Sequence, residues 1–300
     1  MDRRRFLLES VRATVVAGSL PWPALPNAHA RPMRFGYAAI TWGGNDPQAI
    51  DDIAALGFAG IQLRDSAVQR WGERPGELTA LLAAKHLTLV ALSSGSVTLD
   101  PAKEEANIAQ HVSHARFVQQ VGGLFLQVTD ERPVGREPVA DDYRRMGRLL
   151  TDIGRRTADL GVTLGLHPHM GALSQSPAEV ARVLDAADPR YVKLELDIAH
   201  YAQAGGDPAR AIRTYANRLL FLHIKDVESP VPGRNADSYR FVELGRGKVD
   251  LRGVFTALRD ARFDGWAVIE LDDVPEKART PKEAAEISKQ YLARLGLIAF

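Results

Sequence analysis

The sequence predicts an α/β protein with a single (β/α)8 barrel domain. Between residues 31 and 300, short apolar stretches alternate with amphipathic helical patterns about every 30 residues, as strands and helices do around a parallel sheet. Eight such units in about 270 residues match the size of a closed barrel. No linker, composition break or low-complexity run divides this range. A doubly wound open sheet is the alternative.

Eight apolar stretches are the predicted strands. In chain order they are MRFGYAAI (33–40), AGIQLR (59–64), LTLVAL (87–92), LFLQVT (124–129), VTLGLH (162–167), VKLELD (192–197), LLFLHIK (219–225) and WAVIEL (266–271). Helical patterns lie between them, for example at 47–57, 141–161 and 251–261. Gly57 and Gly161 end two of these helices, as glycine commonly does.

The connection 226–250 is far longer than the ~2–6 residues usual for a loop between a strand and a helix. It follows strand seven, on the face where barrel active sites lie. We therefore expect it to close over a substrate. Its GRGKVD stretch (245–250) lacks the third glycine of a dinucleotide-binding loop and does not join a strand to a helix in a βαβ unit, so no dinucleotide site is predicted.

Residues 1–30 have the features of a twin-arginine export signal. An RRRFL stretch is followed by a short apolar run and by the small-x-small cleavage pattern AHA at 28–30. The run is too short, and too interrupted by Arg12 and prolines, for a permanent membrane anchor. The sequence thus predicts a mature chain that begins near Arg31 and is periplasmic or secreted. A disordered basic tail is the alternative.

Composition excludes several kinds of site. The 300 residues include no cysteine, which rules out disulfides, thiolate nucleophiles and cysteine-ligated zinc or iron–sulfur centres. The formal net charge of +1 provides no electrostatic footprint for nucleic acid, so none is expected as a partner. The sequence leaves the oligomeric state open.

Polar side chains end four consecutive predicted strands, at His167, Asp197, His223 and Glu270. Because alternate residues of a strand share a face, these side chains should point into the barrel at one end. Buried ionisable groups without partners are costly, and a divalent cation would satisfy all four. Nitrogen and oxygen donors without thiolates suit one Mn²⁺, Co²⁺, Zn²⁺ or Fe²⁺. We therefore predict that these four residues bind one divalent metal.

Each of these residues also has a structural interpretation when taken alone. Asp197 could cap the following helix, and Glu270 could pair with Arg64 or Lys225. A single histidine at a strand end is commonly a hydrogen-bonded structural residue. The metal interpretation is favoured because four such residues recur at equivalent positions of one fold.

Other side chains near the strand ends are candidates for substrate binding. Trp42 follows strand one and either forms a pocket wall or covers the barrel mouth. Arg64 ends strand two, where it could hold an anionic or hydroxylated substrate, and Asp226 follows strand seven. Glu195 faces inward one layer below the end of strand six, and we expect it to form a core ion pair with Arg64 or Lys193.

The chain resembles the sugar phosphate isomerase/epimerase superfamily of xylose isomerase-like barrels, and within it the inosose dehydratases, which eliminate water from a keto-inositol. The resemblance rests on stretches spread over nearly the whole mature chain. They are ITWGGNDP (40–47), GFAGIQLRD (57–65), LGLHPHMG (164–171), LELDIAHYAQAGGDP (194–208), LLFLHIKDV (219–227), LGRGKVDLRGVF (244–255) and FDGWAVIELDD (263–273).

The resemblance implies a metal bound by Glu, Asp, His and Glu from strands five to eight. Asp197, His223 and Glu270 match the last three ligands. Strand five offers His167 or His169 in place of the first glutamate, and His167 is favoured by its position at the strand end. Two further matches concern other residues. His200 corresponds to a residue that contacts substrate in epimerases, and Gln62 stands where many relatives have glutamate.

The implied reaction acts on a keto-sugar, a keto-glycoside or an inosose. A metal would stabilise the enediolate that forms when a base removes the proton α to the carbonyl. Return of the proton elsewhere gives an isomerase or epimerase, and loss of a β-substituent gives a dehydratase or lyase. His169, His200 and Lys225 are the candidate acid–base residues.

Two other functions compete with this one. A metal-dependent hydrolase resembling endonuclease IV would need three metals and more ligands than the strand ends provide. A noncatalytic periplasmic sugar-binding barrel would bind its ligand whether or not a chelator is present.

Overall fold

Eight parallel strands close into a barrel in the computed structural model, which describes residues 33–298. The barrel strands are β1 (Arg34–Ala38), β2 (Gly60–Arg64), β3 (Thr88–Val97), β4 (Phe125–Asp130), β5 (Thr163–Leu166), β6 (Val192–Asp197), β7 (Leu219–Ile224) and β10 (Trp266–Ile269), while β8 (Asp226–Glu228) and β9 (Arg240–Val242) pair separately. Because β1 pairs with both β2 and β10, the sheet is closed and the open alternative is excluded. The predicted barrel is confirmed, and the predicted export signal lies outside the described residues.

Helices follow the barrel strands on the outside. They are α1 (Asp46–Ala55), α2 (Ser66–Trp71), α3 (Pro75–Ala84), α4 (Glu104–Val121), α5 (Ala140–Ala158), α6 (Pro177–Ala186), α7 (Ile198–Gln203), α8 (Pro208–Thr214), α9 (Leu251–Asp260) and α10 (Pro281–Arg294). Gly57 and Gly161 follow α1 and α5 with φ of 76° and 75°, the left-handed conformation expected after a helix. Among the described residues no helix has the length and apolar character needed to cross a membrane.

The inside of the barrel changes from aromatic to polar along its axis. Phe125 and Phe221 stack with ring centroids 5.5 Å apart, and Trp266 packs in the same layer. Gly60 leaves room for this layer, because a Cβ there would lie 2.5 Å from the Trp266 ring. His223 follows Phe221 by two residues and so shares its inward face. The polar layer therefore begins directly above the aromatic one.

The long connection after β7 is organised by a carboxylate. Both oxygens of Asp226 accept backbone N–H groups at 2.9–3.1 Å, from Val227 and Val249 on Oδ1 and from Gly245 and Gly247 on Oδ2. A Cβ on Gly247 would lie 2.2 Å from Oδ1 of Asp226, so this position of the GRG stretch requires a residue without a side chain. Asp226 is buried and fully occupied by backbone donors. These contacts support a structural role in the loop, and its substrate-binding role stays a prediction.

Candidate metal centre and active site

The ends of β5, β6, β7 and β10 bring the four predicted ligand residues together. His167, Asp197 and His223 are buried, and one potential ligand atom of each lies within 4.8 Å of the others. Glu270 adjoins them through Oε1, 3.3 Å from Nδ1 of His223. We call these four residues the tip cluster. They meet because parallel strands of a closed barrel end at the same face, however far apart they are in sequence.

Four buried polar atoms in and below the tip cluster have no hydrogen-bond partner among the described residues. They are Nδ1 of His167, Oε2 of Glu195, Oδ2 of Asp197 and Nδ1 of His223. Leaving a polar atom buried and unpaired costs about 1–3 kcal/mol. Imidazole nitrogen and carboxylate oxygen are the donors that Zn²⁺, Mn²⁺, Co²⁺ and Fe²⁺ accept. Oδ2 of Asp197 and Nδ1 of His223 therefore fit a divalent cation, while Nδ1 of His167 and Oε2 of Glu195 lie in contact with each other.

The charges of the site fit the same ion. The carboxylates of Glu195, Asp197 and Glu270 are buried, and Lys225 is the buried cation in contact with this group. With the carboxylates ionised and the histidines neutral, as metal ligands are, three negative charges stand against one positive charge, a difference of two. One divalent cation would balance that difference. Asp272, which also contacts Lys225, lies at the edge of the site with its side chain partly in solvent.

One ring nitrogen of His223 is held by an amide relay. Nε2 lies 2.8 Å from Oε1 of Gln62, whose amide nitrogen donates to Oε1 of Gln127 at 2.8 Å. Because the Gln62 oxygen can only accept, Nε2 carries a proton and Nδ1 faces the tip cluster, as in many ligand histidines. Burial lowers the pKa of His223, but Glu195 and Glu270 outweigh it and raise that pKa well above its usual value. These carboxylates stabilise positive charge on Nδ1, whether a proton or a metal ion carries it.

The two oxygens of Asp197 have different surroundings. Oδ1 accepts the backbone N–H groups of Ala199 at 2.8 Å and His200 at 2.9 Å, which caps α7. Oδ2 lies 3.7 Å from Nδ1 of His223 and 3.6 Å from Nζ of Lys225. Burial raises the pKa of Asp197, but His200, Lys225 and His223 together hold it well below its usual value. The helix cap is therefore real, and it leaves the second oxygen free for the tip cluster.

Glu195 lies below the tip cluster and not beside Arg64 or Lys193. Its Oε1 accepts the backbone N–H of His223 at 3.1 Å, and its Oε2 contacts Nδ1 of His167. Arg64 is exposed, and Lys193 donates to a backbone carbonyl. The predicted core ion pair is therefore wrong, because β6 turns Glu195 towards the two histidines.

Lys225 is a fixed cation in this site. Its Nζ lies 2.9 Å from Glu270 Oε1, 3.6 Å from Asp197 Oδ2 and 2.5 Å from Asp272 Oδ1, with the Phe241 ring centroid at 3.9 Å. Burial lowers the pKa of Lys225, but these carboxylates together raise it above its usual value. An ammonium group has no lone pair. These contacts favour a protonated Lys225 that donates rather than accepts, and its catalytic role stays a prediction.

His169 and His200 lie together at the tip cluster, with ring centroids 3.8 Å apart. The Met170 carbonyl accepts from Nδ1 of His169 at 2.7 Å, whereas the Met170 N–H donates to Nδ1 of His200 at 3.3 Å. Burial lowers the pKa of His169, and it lowers that of His200 to about 2, so both rings are neutral. His169 thus keeps a lone pair on Nε2, whereas Nε2 of His200 lies 3.5 Å from the ammonium of Lys225. His167 also lies within reach of this pair, and the three histidines form a second group of potential metal ligands.

Phe241 is a site residue that sequence analysis missed. Its ring lies 4.8 Å from the His200 ring, at 70°, and 5.7 Å from the ring of Tyr239. Both aromatic residues belong to the long connection after β7, which therefore reaches the site as predicted. Two aromatic residues in a long loop on the active-site face are the signal that sequence analysis could have used.

The remaining predicted substrate residues lie outside the contacts of the tip cluster. Trp42 is buried, with its indole N–H donating to Asp52 Oδ2 at 2.9 Å and its ring against Tyr37 at 5.6 Å. These contacts support a structural role, and its substrate role stays a prediction. Arg64 ends β2 with an exposed side chain that forms no hydrogen bond or ion pair with the described residues. It is therefore available to a substrate.

Comparison with known proteins agrees with the barrel fold. The sequence model of the xylose isomerase-like TIM barrel family matches residues 50–295. The inosose dehydratase of Lacticaseibacillus casei is 25% identical over 296 residues, which cover 87% of this chain and 96% of the relative. The rhizopine catabolism protein MocC of Rhizobium meliloti is 28% identical over 300 residues, which cover 89% and 90%.

A solved structure supports the fold independently. The crystal structure of the IOLI protein with a bound zinc atom superimposes with a TM-score of 0.76 at 17% identity, covering 89% of this chain and 100% of that one. At this level of identity, the likeness shows the shared barrel.

Proposed function

Because the chain belongs to the xylose isomerase-like TIM barrel family, we propose that it is a divalent-metal-dependent dehydratase acting on a cyclic polyhydroxylated ketone of the inosose type. The main support for this proposal is that unpaired imidazole and carboxylate atoms converge at the strand ends, next to the neutral imidazole of His169. Relatives named inosose dehydratase favour elimination. An isomerase or epimerase of keto-sugars or keto-glycosides would share the first proton transfer.

His167, Asp197, His223 and Glu270 would hold the ion. When bound, a divalent ion supplies Lewis acidity at a carbonyl oxygen, which lowers the free energy of the negative charge that develops as the neighbouring C–H loses its proton. Mn²⁺, Co²⁺, Zn²⁺ and Fe²⁺ all suit these donors.

His169 is the proposed base. Its Nδ1 is held by the Met170 carbonyl, so Nε2 is a free lone pair at neutral pH. The imidazolium formed when His169 takes the α-proton could return that proton to the departing β-hydroxyl. The departing hydroxyl and the returned proton leave together as water. This elimination involves no net oxidation or reduction, so it needs no oxidant or reductant. A base positioned in this way contributes about 10²–10⁴-fold to a rate.

The neighbours of His169 orient the substrate. A ring nitrogen of His200 and the ammonium of Lys225 would form hydrogen bonds with hydroxyl or carbonyl oxygens of the substrate. Phe241 and Tyr239 form an apolar wall against which the C–H face of a ring could pack, and they exclude water from the reacting atoms.

The test joins metal analysis to a substrate screen. Purified protein is analysed for metals, stripped with a chelator and reloaded with Mn²⁺ or Co²⁺. It is then incubated in D₂O with inososes, keto-sugars and keto-glycosides. NMR should show loss of water from an inosose and its dependence on metal. His169→Gln should lose at least about 100-fold in rate, whereas the exposed His86→Asn should retain activity.

The same experiment separates the alternatives. Deuterium incorporation without elimination would favour an isomerase or epimerase. Phosphodiester cleavage would favour the hydrolase, and binding of a sugar that persists in chelator without turnover would favour the noncatalytic barrel. Absence of any bound or activating metal would refute the proposal.

Export of the protein is a separate proposal. The RRRFL stretch near the start of residues 1–30 is its basis. Replacing Arg3 and Arg4 together by lysine should retain the protein in the cytoplasm, as measured by cell fractionation. Unchanged recovery from the periplasm would contradict twin-arginine export.

A further inference from the structure

Glu195 is a fully buried carboxylate that the proposed reaction does not use. It lies on β6 one inward position below Asp197. Its Oε1 is anchored by the backbone N–H of His223 at 3.1 Å, next to a shift in the β6–β7 register. Its Oε2 contacts Nδ1 of His167, and neither of these two atoms has a hydrogen-bond partner elsewhere among the described residues.

The neighbouring strand leaves space for this carboxylate. Gly165 is the inward position of β5 below His167, and it has no side chain to occupy the barrel interior. A Cβ on Gly165 would lie 3.4 Å from the Cβ of Glu195 and 3.3 Å from the side chain of Leu220. A Cβ would therefore make an ordinary contact with Glu195 and a tight one with Leu220, so side-chain atoms beyond Cβ would compete with Glu195 for this space.

We propose that Glu195 is a positioning residue that keeps a proton on Nδ1 of His167 and thereby presents Nε2 of that ring to the metal ion. A carboxylate oxygen and a ring nitrogen in contact repel each other unless a proton lies between them. Among the described residues, neither atom has another hydrogen-bond partner. The inference rests on the proposed function, because it assumes a metal ion at the tip cluster.

The two ligand histidines would then be held in different ways. His223 is held through Nε2 by the neutral amide of Gln62, so it presents Nδ1. His167 is held through Nδ1 by an anion. The Glu195 carboxylate also supplies a negative charge near the proposed metal ion. A glutamate in place of His167 at the end of strand five would have supplied that charge directly. Partners of this kind typically change metal affinity 10–100-fold.

The first test compares two chemically identical substitutions. Glu195→Gln removes the charge and offers an amide N–H to Nδ1, which would move the His167 proton to Nε2. Glu243→Gln makes the same change at another buried glutamate, which pairs with Arg279 at 2.7 Å outside the tip cluster. Metal affinity is measured by competition between the stripped protein and a chromophoric chelator for Zn²⁺ and Co²⁺.

We expect Glu195→Gln to bind both ions 10–100-fold more weakly and Glu243→Gln to bind them as the wild type does. At saturating Co²⁺ the visible spectrum of Glu195→Gln should match that of the wild type, because no ligand has been lost. Unchanged affinity would overturn the role of Glu195. An altered spectrum at saturation would also overturn it, because Glu195 would then be a ligand itself.

The second test uses the wild type and does not depend on a variant that folds. Long-range ¹H–¹⁵N NMR of the Zn²⁺-loaded protein should show His167 protonated on Nδ1 and bound through Nε2, and His223 with the opposite arrangement. A proton on Nε2 of His167 would overturn the inference. A wild type that takes up no divalent ion would overturn the proposed function as well, so the two failures can be told apart.

Discussion

Substitution of Asp197 separates the two roles that the structure assigns to its two oxygens. Asp197→Asn keeps an Oδ1 that can accept the N–H groups of Ala199 and His200, and so keeps the cap of α7. It replaces Oδ2 by an amide nitrogen, which has no lone pair for a metal ion. Asp197→Ala removes both the cap and the proposed ligand.

The expected magnitudes differ enough to measure. Asparagine and aspartate are similar N-caps, whereas loss of the cap in Asp197→Ala costs about 1 kcal/mol. An ion present at 100 times its Kd stabilises the folded state by about 2.7 kcal/mol. For a domain of this size that corresponds to a rise in Tm of about 5–10 °C. The wild type should show this rise with added metal, and neither variant should.

Thermal unfolding monitored by circular dichroism, with and without Mn²⁺ or Co²⁺, measures both effects. Without metal, Asp197→Asn should have a Tm close to that of the wild type, and Asp197→Ala should be lower by about 2–4 °C. Elemental analysis after dialysis should find metal in the wild type alone. If the Tm of Asp197→Asn still rises with added metal, Asp197 is not a ligand. If Asp197→Asn and Asp197→Ala have the same Tm without metal, the helix cap does not contribute to the stability as proposed.

Three further predictions address other parts of the molecule. His111 is buried against Ser94, and burial lowers its pKa to about 4. An unfolded histidine takes up a proton near pH 6.5. The free energy of unfolding should therefore fall by up to about 3 kcal/mol as the pH drops from above 6.5 to about 4, as measured by urea titrations. The same loss in His111→Gln would contradict this assignment. Asp226→Ala should leave four backbone N–H groups without an acceptor and expose the long connection after β7 to limited proteolysis, a result refuted by an unchanged digestion pattern. Phe241→Ala should lower kcat/KM about tenfold at unchanged metal content, and an unchanged kcat/KM would remove Phe241 from the site.

The fold was accessible from sequence because its determinants are local. Each of the eight predicted strands is present, with bounds that agree within a few residues except for β3, which extends to Val97. Alternating and helical patterns of apolar residues report which side of each element is buried. Eight such units in succession leave few topologies, since the crossovers of a parallel sheet are right-handed. The hairpin of β8 and β9 was not predicted, because its two strands are only three residues long.

The candidate site was accessible in part. The strand-end residues could be grouped because a closed barrel brings all strand ends to one face. The partners of charged side chains could not be predicted. Glu195 was expected beside a basic residue and instead lies against His167, and Lys225 is surrounded by carboxylates from other strands. Phe241 reaches the site only because its loop folds back over the barrel.

By itself, the sequence determined the barrel, the face that carries the site and the residues at the strand ends, because these follow from periodicity along the chain and from the geometry of parallel strands. The tertiary structure alone decided how individual atoms are used. It shows which oxygen of Asp197 caps a helix, which nitrogen of His223 faces the centre, and that the carboxylate of Asp226 is consumed by its own loop. Such assignments depend on contacts between residues that are often distant in sequence, and a hydrogen bond changes with displacements of less than one ångström.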